Sequence, residues 1–313
     1  MAGLIPEYAM NKEFSVAKEL ETNNTLMETR PRVNEFRRFL RVFFGRPVVI
    51  IGTIIILVFL VCAAFPQLFT SYDPVKQNLS EVLQQPSSNH WLGTDSLGRD
   101  LFSRIIYGAR TALIIAFSAI AFAAVVGTIL GLVAGYSGGI TYTIIMRFID
   151  SLMAFPGILL ALTIVAILGG GMITVIIALG IQSISQYARI MCAQTLSLRE
   201  NDYVIASRSL GSTSFRIMFQ HILPNALPPM IVVSTIAIGM TILAEASLSF
   251  LGIGLQEPTI AWGSLVNVGY GYLLSFPLLA IAPGVAIMLV VFGFNMVGDG
   301  LRDALDPKLR GTL

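Results

Sequence analysis

Six apolar runs constrain this chain more than any other feature. Each is near the ~20 residues a helix needs to cross about 30 Å of hydrocarbon. They fall at roughly 48–69, 111–134, 146–168, 172–191, 226–250 and 278–298. A backbone in lipid must satisfy its own N–H and C=O groups, and a helix does so within one segment. The fold class expected is therefore all-α: a polytopic membrane protein with six transmembrane helices. Composition agrees. Hydrophobic residues make up 55% and charged residues 12% of the chain, against about 25% charged in soluble domains. Mean hydropathy is +0.78. The first run starts near Pro47, behind a long polar segment, and meets no charge until Asp73. That is too long and too far in for the ~7–15-residue apolar core of a cleavable leader.

The basic residues orient the spans. Lys12, Lys18, Arg30, Arg32, Arg37, Arg38, Arg41 and Arg46 precede the first, and Arg147 opens the third. Arg189, Arg199, Arg208 and Arg216 flank the polar loop after the fourth, and Arg302, Lys308 and Arg310 close the chain. With six spans all of these face one side, and Lys76, Arg99, Arg104 and Arg110 face the other. The Lys/Arg-rich side is the cytoplasmic one, so both termini are expected in the cytoplasm. Five or seven spans would put the basic C-terminus on the wrong side.

The organisation follows. Residues 1–32 read as a poorly ordered cytoplasmic tail. Residues 33–46 place Phe36, Phe39, Leu40, Phe43 and Phe44 among Arg37, Arg38 and Arg41. That pattern fits an amphipathic helix in the membrane interface, and equally a basic flank anchoring the next span. Residues 47–110 hold the first span and an extracytoplasmic segment, 111–300 a five-helix core, and 301–313 a cytoplasmic end. Leu101, Ile105 and Ile106 predict a short amphipathic helix leading into the second span. Gly135-Tyr136-Ser137-Gly138-Gly139 and Gly169-Gly170-Gly171 read as turns, and Phe155-Pro156-Gly157 as a kink in the third span. Residues 251–277 are nearly uncharged and suit a segment re-entering the interface, with Tyr270, Tyr272 and Phe276 in an aromatic belt.

The longest polar interruption of the second half runs from Asn201 to Pro224. It predicts two short helices around a glycine. Asn201 or Asp202 can cap the first, and Gly211 suits the left-handed turn past its end. Ser212 can cap the second, and Pro224 limits its continuation. Tyr203, Ala206 and Leu210 share one face; Phe215, Met218, Phe219 and Ile222 share another. Such a knob on the aqueous side fits a docking element, and equally an interfacial helix pair that tidies a loop.

Much chemistry is excluded. There is no G-x-x-x-x-G-K-[ST] phosphate loop, no H-E-x-x-H, no paired cysteine motif and no G-x-S-x-G elbow in the sequence. A net charge of +2 gives no reason to expect a nucleic-acid partner. Cys62 and Cys192 stand far apart and read as packing residues. His90 and His221 fall on opposite sides of the membrane and cannot act together. Glu245 is the acid of the fifth span. It could line a path or hold an outer gate by a hydrogen bond, or sit close enough to the outer surface to be solvated. Arg147 and Asp150, three apart on a helix, can pair. A secondary transporter needs an ion path or internal repeats, and an intramembrane enzyme needs paired catalytic groups at depth. Neither pattern is present.

The 201–224 stretch resembles the EAA loop of ABC-importer permeases. Tyr203-Val204-Ile205-Ala206-Ser207-Arg208-Ser209-Leu210-Gly211 and His221-Ile222-Leu223-Pro224-Asn225 carry the likeness. Ala206, Gly211, Leu223 and Pro224 match the signature; Ile205, Ser207 and His221 replace its Glu, second Ala and Ile, as in the peptide-transporter branch. Three further stretches are similar to that branch. They are Leu92-Gly93-Thr94-Asp95-Ser96-Leu97-Gly98-Arg99-Asp100 with Ser103-Arg104, Glu245-Ala246-Ser247-Leu248-Ser249-Phe250-Leu251-Gly252 with Trp262-Gly263, and Gly298-Asp299-Gly300-Leu301-Arg302-Asp303-Ala304-Leu305-Asp306-Pro307. Together they cover about residues 33–310.

The resemblance, to the C-type permease subunit of dipeptide, oligopeptide, glutathione and nickel importers, implies a type I importer permease fold in the inner membrane of a bacterium or archaeon. It implies a B-type permease partner, two ATP-binding subunits and an extracytoplasmic substrate-binding protein. ATP and Mg belong to those ATPase subunits, and no cofactor to this chain. Coupling to the ATPase is expected from Asp202, Tyr203, Ala206, Ser207, Arg208, Gly211, Arg216, His221, Leu223 and Pro224. A translocation path or gate is expected from Glu245, Ser247 and Trp262, and the extracytoplasmic motif from Asp95, Gly98, Arg99, Asp100 and Arg104. The cargo expected is a peptide, with glutathione or a nickel chelate as the alternative.

Overall fold

The computed structural model describes residues 35–305. The tail expected at 1–32 and the end of the C-terminal segment lie outside them. Helix α1 (Glu35–Phe43) falls within the segment read as amphipathic. From Val42 on the chain forms one contact unit. Its helices are α2 (Pro47–Ala64), α3 (Leu101–Ser137), α4 (Gly139–Met153), α5 (Gly157–Leu168), α6 (Met172–Leu198) and α7 (Asp202–Ser209). Then come α8 (Ser214–Phe250), α9 (Trp262–Tyr270) and α10 (Leu278–Leu305). Among the described residues the only β-type pairing is one bridge between Thr94 and Asp100.

Small residues set the packing, because lipid gives apolar helices no hydrophobic reason to associate and close van der Waals contact must do it. Gly127, Gly131 and Gly135 lie one turn apart on α3. A methyl group on them would overlap Tyr187, Ala188 and Thr195 of α6 in turn. The two helices therefore run parallel with their backbones nearly touching. On α8 and α10 the order is reversed: Gly239 faces Phe294, and Gly298 faces Ile236. These two are antiparallel.

These contacts define two ends of the bundle. At the lower end Gly138 sits beside Arg199, and Arg46 pairs with Asp303 at 2.6 Å. The 201–224 element and both ends of the described stretch from Val42 to Leu305 are there. At the upper end the Trp262 indole N–H donates to the Ile105 carbonyl at 2.9 Å, and Gly170 abuts Gly254. Five helices are individually long and apolar enough to cross a membrane. The α4–α5 pair leads from Gly139 at the lower end to Gly170 at the upper one, which makes the sixth passage.

Several boundaries differ from those expected. The first span stops at Ala64, because Pro66 follows. The amphipathic helix expected before the second span is continuous with it: α3 starts at Leu101, and Gly135 is a packing glycine inside it, not a turn. The third span is not one kinked helix. Its halves meet at 86°. Pro156 cannot donate a helical N–H and disfavours helix at Phe155. The fifth span starts at Ser214, and the loop expected at the interface folds into α9. Asp150 pairs with Arg189 at 2.8 Å, across to α6, and not with Arg147. Cys62 and Cys192 are buried free thiols.

Candidate functional site

The lower end carries the 201–224 element. Asn201 occupies the cap of α7 without a side-chain hydrogen bond. The helix ends at Ser209, and Gly211 takes φ +79°. Ser212 is not the second cap. Thr213 is, its hydroxyl accepting the Arg216 N–H at 3.4 Å, while Ser212 pairs with Ser207 at 2.9 Å. Nor does Pro224 end the second helix. It sits in the first turn of the stretch after a six-residue π turn, Ile217–Ile222, and the chain continues unbroken to Phe250. Pro224 has no N–H for the carbonyl four residues back and crowds it; a widened turn relieves that crowding. The Asn225 amide donates to the His221 carbonyl at 2.7 Å.

The element thus has a buried root and a bare crown. Val204, Ile217 and Ile222 are fully buried in the main core. Arg208 lies over the Tyr136 ring at 5.5 Å, and Arg199 donates to the Gly135 carbonyl at 3.0 Å. Tyr203, Ile205 and Ala206 are exposed, as are Leu210 at 88% and Phe215 at 68%. Phe215 stacks only along its own helix, on Phe219 at 4.5 Å. Of the ten residues expected to couple, Leu223 and His221 are half-buried and Pro224 is exposed at the root of α8, while Asp202 and Arg216 are exposed on the element.

Halfway up the bundle α5, α6 and α8 line an open-sided cavity of about 400 Å3. Gln182, Ser183, Gln186, Thr241 and Ser247 give it polar lining. Ser247 is the one residue of the expected path found there. Glu245 is 1% exposed and turned away, so it is neither solvated nor on the cavity wall. It accepts the Ser249 hydroxyl at 2.7 Å, and Ser249 accepts the Leu255 N–H at 3.2 Å. This ties the end of α8 to the following loop. Trp262 is fully buried and clamps α9 to α3 instead of lining a path. Gln182, Ser183 and Gln186 were missed from sequence; polar residues one turn apart in an otherwise apolar span were the available signal.

The upper end is held by the 95–104 motif. Gly98 takes φ +70°, where a side chain would strike the Asn78 carbonyl. Asp100 caps α3, accepting the Ser103 N–H at 2.7 Å, and it pairs with His90 at 2.9 Å. Asp95 accepts from Arg99 at 2.8 Å and Arg104 at 2.6 Å. Both arginines continue to Glu257 in the α8–α9 loop, at 2.7 and 3.4 Å. Burial pushes the Asp95 pKa up, but N–H groups of Arg99 and Leu97 and the charges of Arg104 and Arg99 outweigh it and hold it below the usual value. Burial likewise raises Glu257, and the Arg99 hydrogen bond and charge, with Arg104, bring it below the usual value. Among the described residues no three His, Cys, Asp or Glu are placed to hold a metal.

A bundle of membrane-crossing helices with a polar cavity at mid-height and an apolar knob at one end is the architecture of a transport permease. The chain belongs to the family of binding-protein-dependent transport system inner-membrane components, whose pattern matches residues 127–311. Residues 34–86 match the N-terminal transmembrane domain of oligopeptide transport permease C. It is a multi-pass inner-membrane protein.

It is 46% identical, over 83% of this chain and 86% of the other, to the dipeptide transport system permease protein DppC of Alkalihalophilus pseudofirmus. It is 43% identical, over 88% and 92%, to the glutathione transport system permease protein GsiD of Pectobacterium atrosepticum. The oligopeptide transport system permease protein OppC of Bacillus subtilis is 40% identical, over 86% and 88%. A chain of the MetNI methionine ABC transporter, in an inward-facing conformation, superposes with a TM-score of 0.55 at 20% identity, covering 66% of this chain and 98% of that one. The two share a fold.

Proposed function

We propose that this chain is a non-catalytic permease subunit of an ATP-driven importer of peptides. It forms half of the translocation path with a B-type permease, and two ATP-binding subunits sit on its cytoplasmic side. A substrate-binding protein delivers cargo from outside. ATP and Mg are bound by the ATPase subunits and not by this chain. The termini and the 201–224 element face the cytoplasm, a reading the Lys/Arg distribution supports.

One observation carries the reading: the exposed apolar crown of Tyr203, Ile205, Leu210 and Phe215 stands on a root buried at Val204, Ile217 and Ile222. Apolar side chains bare on an aqueous face mark a contact surface, and the buried root transmits force from it. The second half of the element is the N-terminal stretch of α8, so a push on Phe215 is passed along the same helix that lines the cavity. Closure of the ATPase pair then shifts the cavity from inward-open to outward-open, and hydrolysis resets it, a two-state switch driven by differential contacts. The dipeptide and oligopeptide relatives favour peptide cargo, and the glutathione relative, itself close in identity, favours glutathione as the second reading.

The test is uptake by the complete transporter in proteoliposomes with ATP inside. Dipeptides, longer peptides, glutathione and a nickel chelate are compared. Accumulation of peptide that requires both ATP and the binding protein is expected. Peptide uptake without nucleotide, or uptake of the nickel chelate alone, would overturn the reading.

A further inference from the structure

Below the mid-height cavity, the face of α6 that lines it becomes charged. From Met172 to Ala188 the helix carries no Asp, Glu, Lys or Arg, and Arg189 is the first. Gln182, Gln186 and Arg189 follow at spacings of 4 and 3 residues, so they share one face. The two glutamines line the cavity. Arg189 lies about 10 Å below Gln182 along the axis, and about 15 Å above Arg199 at the lower end. It donates to Asp150 of α4 at 2.8 Å, and the two side chains are 51% and 50% exposed. Charged side chains in a membrane-crossing segment turn to the bundle interior or to water, not to hydrocarbon. A half-bare ion pair on the cavity face of α6 therefore stands beside water that continues the cavity downward.

We infer that Arg189 and Asp150 line the lower mouth of the translocation path and balance its charge, so that peptides carrying either sign pass. This rests on the peptide reading above. The cavity carries no charged residue of this chain. Descending from it, Arg189 is the first charge on α6 and Asp150 the first on the α5–α4 pair. A charged cargo side chain therefore meets these two before any other fixed charge of those helices. A single hydrogen bond joins them, and the exposed remainder of each group is open to a passing ion. Side by side, opposite charges largely cancel beyond the screening length of about 8 Å. Neutralising one partner leaves the other as a net charge at the mouth, and the sign of that charge depends on which partner is lost. Arg147, exposed on α4 three residues before Asp150, is a charge that the variants below all keep.

The experiment uses the complete transporter in proteoliposomes and three labelled tripeptides, Ala-Ala-Ala, Ala-Lys-Ala and Ala-Asp-Ala. Rates are corrected for occupancy of the binding protein. The Lys-to-Asp rate ratio is read within each variant, so a smaller amount of inserted protein cancels. The wild type is expected to move all three within about threefold of one another, and a preference of about tenfold for either charge would overturn the balance. Arg189→Gln leaves the acid and should shift the ratio about threefold toward lysine. Asp150→Asn leaves the base and should shift it about threefold toward aspartate. The double variant carries neither charge and should return the ratio to that of the wild type. A pair that only holds α4 to α6 predicts something else: each single variant slows all three peptides alike. Peptide uptake by the wild type with a ratio unmoved by the single variants, moved the same way by both, or moved in the reverse sense would overturn the inference alone. So would a double variant whose ratio stays displaced. Absence of peptide uptake by the wild type would overturn the peptide reading and this inference with it.

Discussion

Trp262 shows how one side chain changes role once its surroundings are known. In sequence it stands beside a glycine in an outer loop, a position that suits a gate. In the fold its ring is buried and edge-on to Phe59 at 5.6 Å, and its N–H reaches α3. It is a clamp between the upper loop and two membrane helices. Trp262→Phe keeps most of the packing and loses the hydrogen bond, a cost of about 1 kcal/mol. A lower melting temperature in detergent, by about 2–4 °C, is expected, with the cavity unaltered. Unchanged melting would show that the bond contributes nothing. Glu245 teaches the same lesson. An acid in a span reads as functional because nothing in a linear pattern shows Ser249 and the Leu255 N–H closing around it. Ser247, two residues on, faces the cavity because a helix turns about 100° per residue.

The upper clamp and the lower knob differ in how much of each can be read in order along the chain. The knob was legible in its outline: Gly211 at the end of α7, apolar residues at helical spacing, charges around them. The π turn was not, because proline at 224 signals a stop in the general case and only the continuing packing of Ile222 and Ala226 in the core shows the chain going on. The G-x-x-x-G-x-x-x-G run at 127–135 was in plain view, and its meaning depends on which helix comes against it. The clamp's long-range half was illegible: Glu257 lies far from Arg99 in sequence, and no local pattern joins them. Its chemistry gives a pH signature. The folded pKa values of Asp95 and Glu257 are lowered. The stability they add is thus fully present above the unfolded value of about 4 and is lost as pH falls through the lower folded value. A melting temperature flat from about pH 8 to 5 and falling below about pH 4 is expected. A fall already present between pH 8 and 6 would contradict this account of the clamp.

At the scale of the whole molecule, the count of passages mattered more than any one boundary. Six apolar runs and the side of the basic residues predicted an even topology. The fold reaches it through a pair bent by 86°, neither half of which is long enough to cross alone. The consequence is that Arg46, Asp303 and the 201–224 element share one end. The cavity lies between that end and the upper clamp, lined by α6, which ends at the knob, by α8, which begins there, and by α5. On the function proposed above, a molecule built this way would take work from a partner at its lower end and expose a path at mid-height.

The ratio of peptide imported to ATP hydrolysed by the reconstituted transporter tests that claim most directly. Ala206 is exposed on the knob, and a glutamate there sets an unpaired charge against an apolar contact. Ala206→Glu should insert normally and lower the ratio by about tenfold or more, the effect of about 1.4 kcal/mol or more of lost contact. A ratio equal to that of the wild type would contradict the account.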